Sequence, residues 1–181
     1  MKIDMHMHST FSDGTFTVPQ IVEYARKNNF EYVAITDHNN IQSVDVLKEM
    51  TCELPHKIAG IELSTKHNGK KLHLLGYFNV NDDFAGKKFA PLLSLLDREN
   101  ESKTVQIKQI VDNLSVDFDV DYGEFLSTLN GDGFVNRVYI ARYLTDKGIT
   151  SSVSDAFKTL INTKSKYFSK RREMTYEEGI A

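Results

Sequence analysis

The chain has 181 residues, of which 40% are hydrophobic and 26% charged, so it can bury a core and is not a disordered tail. Its net charge of −3 argues against a protein held on duplex DNA by non-specific phosphate contacts, because such a protein needs a basic surplus. The single cysteine, Cys52, excludes an intramolecular disulfide and a cysteine-based zinc site. The sequence shows no signal-peptide core and no membrane-length apolar run, so we expect a soluble, cytoplasmic protein.

Strands and helices alternate over the first third of the chain, which predicts an α/β fold. The elements are predicted at residues 2–8, 17–28, 32–36, 41–50 and 57–64. Apolar and polar residues alternate over the first segment, as in a strand. Thr17 is a candidate helix N-cap, with Pro19 in the first turn. The continuous apolar run at 32–36 is typical of a strand buried on both faces of a parallel sheet.

A β-hairpin is predicted next, because Asn68-Gly69 separates two strand-like segments. If these two residues form the loop, Ser64 pairs with His73 across the strands. Glu62, Ser64 and His73 then share one face, and Glu62 lies diagonal to His73 at roughly 7–8 Å between Cα atoms. That separation lets both side chains reach one metal ion or two adjacent ones. An ordinary cross-strand polar pair is the alternative interpretation.

The sequence divides into three predicted regions: 1–84, a helical insertion subdomain at 85–165, and a return segment at 166–181. Helices in the insertion are predicted at 91–114, 121–129, 136–147 and 153–161, with a break at the glycines of 131–133. In the last region, Thr175 and Glu178 form a capping-box pattern that opens a helix, yet only three residues follow it. We therefore expect the chain to stop before its fold closes.

Metal-ligand side chains recur at the predicted strand ends. His6 and His8 are two apart on a strand, so both leave the same face, and imidazole suits Zn, Mn and Fe. Asp4 shares that face and could orient one imidazole through a hydrogen bond. For this pair alone, a metal clamp and a polar pair on an exposed edge strand are equally good interpretations. His56 and His67 are interpreted as plain surface residues.

The context of the other strands favours the metal interpretation. Asp13 follows the first strand, Asp37 and His38 end the second, and Glu62 lies near the end of the third. Functional groups gather at the carboxyl ends of strands in parallel α/β folds. A solvated surface would not be expected to place ligand-type residues there three times in succession.

These motifs together resemble the PHP family, named for polymerase and histidinol phosphatase, and most of all its stand-alone bacterial phosphoesterases. The motifs read DMHMHS at 4–9, SDG at 12–14, TDH at 36–38, GIE at 60–62 and HLLG at 73–76. The resemblance covers the whole chain and implies a partial, distorted (β/α)7 barrel with a helical insertion. It also implies two or three divalent metal ions, Mn, Fe or Zn, at the barrel mouth. The implied metal ligands are His6, His8, Asp13, His38, Glu62 and His73.

The chain also departs from the family pattern. That pattern continues with a histidine in an Ala-His-Pro-like strand end and closes with an Asp-x-His pair, and this sequence has neither. In the insertion, the family's Arg-Pro-His-Ile-Ala reads RVYIA at 137–141, so the arginine is kept and the histidine is Tyr139. Arg137 is a candidate phosphate contact, because a guanidinium fork matches phosphate oxygens. An exposed helix arginine is the alternative.

The resulting expectation is a metal-dependent phosphoesterase that acts on a small phosphorylated substrate of the nucleotide or short-oligonucleotide class. A hydroxide activated by the metal ions would attack phosphorus, Asp37 or Asp4 would orient ligands, and Arg137 would hold a phosphate. One alternative is a catalytically impaired fragment that serves as a metal-binding or interaction module. Another is a histidinol-phosphatase-like or polymerase-associated exonuclease domain. We expect no duplex DNA and no membrane as partners, whereas an open sheet edge favours self-association.

Overall fold

The computed structural model describes residues 1–51, 53, 55–129 and 135–181. Cys52 and the predicted break at 131–133 lie outside the described residues. The elements in the described part of the chain are β1 (Ile3–Met7), α1 (Val18–Lys27), β2 (Tyr32–Ile35), α2 (Ser43–Glu49), β3 (His56–His67), β4 (Lys70–Phe78), α3 (Ala90–Leu114), α4 (Tyr122–Ser127), α5 (Arg137–Asp146), α6 (Val153–Thr159) and α7 (Tyr176–Ile180). The predicted α/β class is confirmed.

The four strands form one sheet in the order β1-β2-β3-β4. The first three strands are parallel, as the alternation of strands and helices predicts, and β4 runs antiparallel to β3. The sheet curls, since the Tyr77 hydroxyl on β4 donates a hydrogen bond of 2.9 Å to the Met5 carbonyl on β1. The carboxyl ends of the parallel strands therefore border a concave face.

The hairpin between β3 and β4 has the predicted register, in which Ser64 pairs with His73 and Thr65 with Leu72. Asn68 and Gly69 have φ angles of 48° and 78°, so both loop residues adopt the left-handed conformation of a tight hairpin turn. β3 is longer than the predicted 57–64, because pairing with β4 continues to His67. The pairing fixes which side chains of the hairpin share the concave face.

Helices α1 and α2 form the apolar layer beside β2. Thr17 caps α1 by accepting a hydrogen bond from the Gln20 backbone N–H, and Gln20 returns the contact in a capping box. The buried side chains that pack together here are those of Val18, Ile21, Val22, Ile35 and Leu47. This layer holds β2, and with it the loop that carries Asp37 and His38.

The chain forms two compact units, residues 1–99 with 173–181, and residues 100–172. The second unit has a helical core of its own that includes Phe125, Ile140 and Leu144, all fully buried. In the first unit, the Lys66 N–H donates to the Met174 carbonyl, and Thr175 caps α7 in the predicted capping box. The region boundaries predicted after residues 84 and 165 are drawn from the composition of the sequence, not from contacts. They stay a prediction of the domain organisation.

Among the described residues, no helix combines the length and the apolar character that a membrane crossing requires.

Candidate metal centre

Glu62 is the centre of a polar cluster at the carboxyl ends of the strands. Its side chain is only 3% exposed, and its Oε2 atom lies 2.9 Å from His6 Nε2 and 2.8 Å from His8 Nε2. Its other oxygen, Oε1, contacts Nδ1 of His73. The predicted approach of Glu62 and His73 across the hairpin is therefore confirmed.

Asp13 and His38 extend this cluster. His8 uses its second ring nitrogen, Nδ1, to contact Asp13 Oδ1 at 2.7 Å. His38 lies between the two carboxylates, with Nδ1 3.5 Å from Glu62 Oε2 and Nε2 3.8 Å from Asp13 Oδ2. The structure therefore brings together all six side chains that the sequence singles out as metal ligands.

The six side chains form three overlapping groups whose ligand atoms lie within 4.8 Å of one another. The groups are His6, His8 and Glu62; His8, Asp13 and His38; and His38, Glu62 and His73. Four imidazoles and two carboxylates make a mixed nitrogen and oxygen donor set, which suits Zn, Mn and Fe. The residues therefore fit divalent transition metals, and their role as ligands stays a prediction.

The electrostatics of the cluster favour ionised carboxylates at Glu62 and Asp13 and a neutral ring at His38. Burial raises the pKa of Glu62, but the hydrogen bond from His6 and the charges of His38 and His73 outweigh burial and lower the pKa overall. The pKa of Asp13 is also lowered overall. Burial raises it, but the hydrogen bond with His8 and the charge of His38 outweigh burial. Burial lowers the pKa of His38 and thereby favours the neutral ring. Ionised carboxylates and neutral imidazole are the forms that coordinate a metal.

Asp37 lies at the end of β2 but contacts the loop after β1. It is fully buried, and its carboxylate accepts hydrogen bonds from the Ser9 N–H, the Ser9 hydroxyl and the Ser12 hydroxyl at 2.6–2.7 Å. Asp13 belongs to the same loop, so Asp37 fixes the segment from which Asp13 reaches the cluster. A catalytic role for Asp37 stays a prediction.

Asp4 contacts His6, but at the backbone of that histidine rather than at its ring. The Asp4 carboxylate accepts a hydrogen bond from the His6 N–H at 3.1 Å. The contact thus differs from the predicted bond to an imidazole ring. The part that Asp4 plays in orienting a ligand stays a prediction.

Two further residues at the cluster are not predicted from the sequence. Asn39 is buried with φ at 48°; its N–H donates to the Glu62 carbonyl, and its Oδ1 accepts from the Ser64 N–H at 2.8 Å. An asparagine tolerates this left-handed backbone, and its place directly after the Asp37-His38 pair is the signal that could have found it. Tyr77 lies four residues after His73 on β4, so the two side chains share one face of the strand. This spacing is the signal that could have identified Tyr77.

The remaining sequence candidates have other surroundings. Arg137 belongs to the second unit, where its Nη1 donates to the Ile161 carbonyl at 3.3 Å and its guanidinium lies over the rings of Phe157 and Phe168. Its role as a phosphate contact stays a prediction. His56 packs against Tyr32, and His67 Nδ1 lies 2.8 Å from Glu177 Oε1. Neither histidine belongs to the three groups of the cluster.

The comparison with known families bears directly on this cluster. The model of the PHP domain matches residues 4–172, and the match includes all six clustered side chains. The chain belongs to the PHP domain family. A solved structure from Bifidobacterium adolescentis, described as that of a candidate metal-dependent phosphoesterase, superimposes with a TM-score of 0.81 at 27% identity and covers 99% of this chain. The predicted partial barrel with a helical insertion is confirmed.

Two curated relatives are RNA-degrading enzymes by name. The 5′-3′ exoribonuclease of Haemophilus influenzae is 32% identical over 161 residues, which are 87% of this chain and 55% of that protein. The 5′-3′ exoribonuclease Rnm of Salmonella typhimurium is 27% identical over 158 residues, 86% of this chain and 52% of that protein. This PHP domain thus spans about half the length of these relatives, and 62% of the Bifidobacterium chain.

Proposed function

We propose that this PHP domain forms the metal centre of a phosphoesterase, a hydrolase that acts on phosphate esters. The observation that carries the proposal is the clustering of six ligand-type side chains, with the buried Glu62 carboxylate among them, at the carboxyl ends of the strands. The description of the Bifidobacterium structure as a metal-dependent phosphoesterase supports the same activity.

Each side chain has a place in the proposed centre. The six side chains would together hold two or three divalent ions, in which each neutral imidazole would offer one ring nitrogen and Glu62 and Asp13 would offer carboxylate oxygens. Bound divalent ions would supply Lewis-acid chemistry, lowering the pKa of a water and neutralising charge on the phosphate oxygens. Asp37 would keep the loop with Asp13 in place, and Arg137 would hold a phosphate. Mn, Fe and Zn all suit this donor set.

The exposure of the cluster indicates where a substrate would enter. Glu62 is buried, whereas the side chains of His6, His73 and Asp13 are 49%, 46% and 50% exposed. A phosphate can therefore approach the rim of the cluster while Glu62 stays shielded from solvent. Open access of this kind suits the end of a polymer as well as a small ester.

For the substrate we propose the nucleotide class, and within it short oligoribonucleotides. The two curated relatives named as 5′-3′ exoribonucleases support this class. The net charge of −3 fits a substrate held by metal ions better than one held by a basic groove. We further propose that the protein acts in the cytoplasm.

The test is a paired measurement of metal content and hydrolysis. Protein prepared without chelator is analysed for bound metal, then assayed with Mn²⁺ on bis(p-nitrophenyl) phosphate and on a short 5′-phosphorylated oligoribonucleotide. Glu62→Ala and His8→Ala are expected to lose most bound metal and turnover. The matched control is His56→Ala, which removes a histidine outside the cluster and should behave as the wild type. Equal metal content in Glu62→Ala and wild type would contradict the proposal.

A metal-binding module without turnover is the second candidate function. The observation that favours it is Tyr139, which stands where the resemblance to the PHP family implies a histidine. The same experiment separates the two candidates. Metal bound through Glu62 and His8 together with no hydrolysis of either substrate would favour the module, whereas hydrolysis lost in both variants would favour the enzyme.

A further inference from the structure

Strand β1 contains an irregularity immediately beside the metal centre. Its register with β2 pairs Asp4 with Val33 and Met7 with Ile35, so Met5 and His6 stand opposite a single residue, Ala34. This two-against-one arrangement is a β-bulge, a feature that re-aims side chains and is rare between parallel strands. His6, the ligand that contacts Glu62 Oε2 at 2.9 Å, therefore leaves β1 from the bulge itself.

Two side chains bind the backbone of this bulge. The Tyr77 hydroxyl donates to the Met5 carbonyl at 2.9 Å, and the Asp4 carboxylate accepts from the His6 N–H at 3.1 Å. The two contacts hold the carbonyl and the N–H of the peptide bond between Met5 and His6. That peptide bond sets the direction in which the His6 side chain leaves the strand.

Tyr77 reaches β1 from the opposite end of the strand order. In the β3–β4 register it pairs with Gly60, so no side chain stands directly opposite its ring on the shared face. A Cβ at Gly60 would lie 2.6 Å from Thr36 Cγ2, which explains the need for glycine there. Tyr77 is 42% exposed, and its hydroxyl reaches Met5 on β1. Partial burial, together with the charge of Glu62, raises the pKa of Tyr77.

We infer that Tyr77 is a positioning residue for the metal centre, and that it acts by holding the Met5–His6 peptide so that His6 faces Glu62. Asp4 holds the same peptide from its N–H side. The inference rests on the proposed function, because it assigns to Tyr77 an effect on the affinity for metal. A tyrosine that only stabilised the fold would lower the free energy of unfolding when substituted and leave that affinity unchanged.

The test is a Mn²⁺ titration of the full chain by calorimetry, with Mn²⁺ alone as the ligand and circular dichroism to confirm folding. Tyr77→Phe keeps the ring and removes the hydroxyl, and we expect it to weaken Mn²⁺ binding about 10-fold, the lower end of the range for partners that orient metal ligands. Tyr24→Phe, at an exposed position on α1, is the matched control and should leave the affinity unchanged.

Asp4 supplies an independent pair of variants. Asp4→Ala removes the acceptor of the His6 N–H and should weaken Mn²⁺ binding to a similar extent. Asp4→Asn keeps an oxygen acceptor and should restore most of the affinity. Equal loss in both Asp4 variants would overturn the role given to this hydrogen bond and would point to the carboxylate charge instead.

A double-mutant cycle identifies the ligand through which Tyr77 acts. In a His6→Ala background, Tyr77→Phe should change Mn²⁺ affinity by less than about twofold, because its target is gone. An unchanged affinity in Tyr77→Phe alone, or the same loss with and without His6, would overturn the inference. If His6→Ala itself leaves Mn²⁺ binding intact while Tyr77→Phe weakens it, the assignment of His6 to the proposed centre fails, and this positioning role fails with it.

Discussion

Protonation of the half-buried His38 couples the stability of the fold to pH. Burial lowers the pKa of His38 below its ordinary value of 6.5, although Glu62 and Asp13 oppose the shift. The unfolded chain therefore binds more protons at this residue than the folded chain does in mild acid. The stability that His38 contributes is present above pH 6.5 and is lost as the pH falls toward its lowered pKa. The lowered pKa values of Glu62 and Asp13 continue this trend at lower pH.

We predict that the metal-free protein loses free energy of unfolding between pH 7 and pH 5, and that His38→Gln reduces this loss. Urea denaturation at several pH values measures both quantities. His56→Gln, which changes a histidine outside the cluster, should keep the wild-type pH dependence. An identical slope in His38→Gln and wild type below pH 6.5 would contradict the prediction.

Asp37 supports the loop that carries Asp13, and its removal should cost stability. Asp37→Ala leaves the Ser9 N–H and the hydroxyls of Ser9 and Ser12 without their buried acceptor. A lost hydrogen bond to a charged group costs about 1.5–3 kcal/mol, so we predict a loss of at least about 2 kcal/mol in chemical denaturation. Asp97→Ala, at an exposed position of α3, should stay within about 0.5 kcal/mol. Equal stability of the two variants would contradict the role given to Asp37.

Residue type, strand-end position and the hairpin register indicate the region where ligand-type side chains meet, and the family resemblance supplies the set of six. The histidines and carboxylates at the ends of β1, β2 and β3 are visible as motifs, and the structure brings them to one point around Glu62. The supporting residues are not visible in the same way. Asn39 and Tyr77 act through backbone groups of distant strands, and a sequence does not show which carbonyl or N–H a side chain will meet.

The β3–β4 hairpin carries His73 to Glu62, and its turn fixes the register on which this approach depends. Gly69 has a φ of 78°, and no atom lies within 4 Å of the position that a Cβ would take there. An alanine at this position would therefore meet backbone strain alone.

We predict that Gly69→Ala lowers the free energy of unfolding by about 1–2 kcal/mol, the cost of a left-handed conformation for an L-residue. Thermal or urea denaturation measures the loss. Asn68→Gly is the matched control, because glycine adopts the φ of 48° at that position readily and should maintain or raise stability. If the Gly69→Ala variant is as stable as the Asn68→Gly variant, the turn does not constrain the hairpin.

Local signals explain why most elements could be predicted. The Asn68-Gly69 turn, the Thr17 and Thr175 caps and the alternation in β1 each depend on neighbouring residues in the sequence. The β-bulge in β1 could not be predicted, because strict alternation over 2–8 is what an ideal strand also shows. The bulge is defined by the pairing with β2 and is contacted by Tyr77, and both of these partners are distant in sequence.

The two units of the chain have separate apolar cores. The six candidate ligands and the clusters around Ile35 and Ile61 belong to the unit formed by residues 1–99 with 173–181. The cluster around Phe125 lies within 100–172. Composition alone predicts a helical region after the sheet, but it does not show where the contacts divide, since α3 runs from Ala90 to Leu114 through the boundary at residue 99. Because each unit has its own core, each unit can unfold cooperatively by itself.

We predict that destabilising the second unit leaves metal binding intact. Phe125→Ala removes a fully buried ring at a cost of about 3–5 kcal/mol, so amide hydrogen exchange should lose protection across residues 107–129 and 135–167. Mn²⁺ affinity should remain within about twofold of wild type, because every clustered ligand lies in the first unit. Leu47→Ala, a buried change in the first unit, is the counterpart and should reduce protection in β2 and weaken Mn²⁺ binding. A fall in Mn²⁺ affinity in Phe125→Ala as large as that in Leu47→Ala would show that the two cores unfold together.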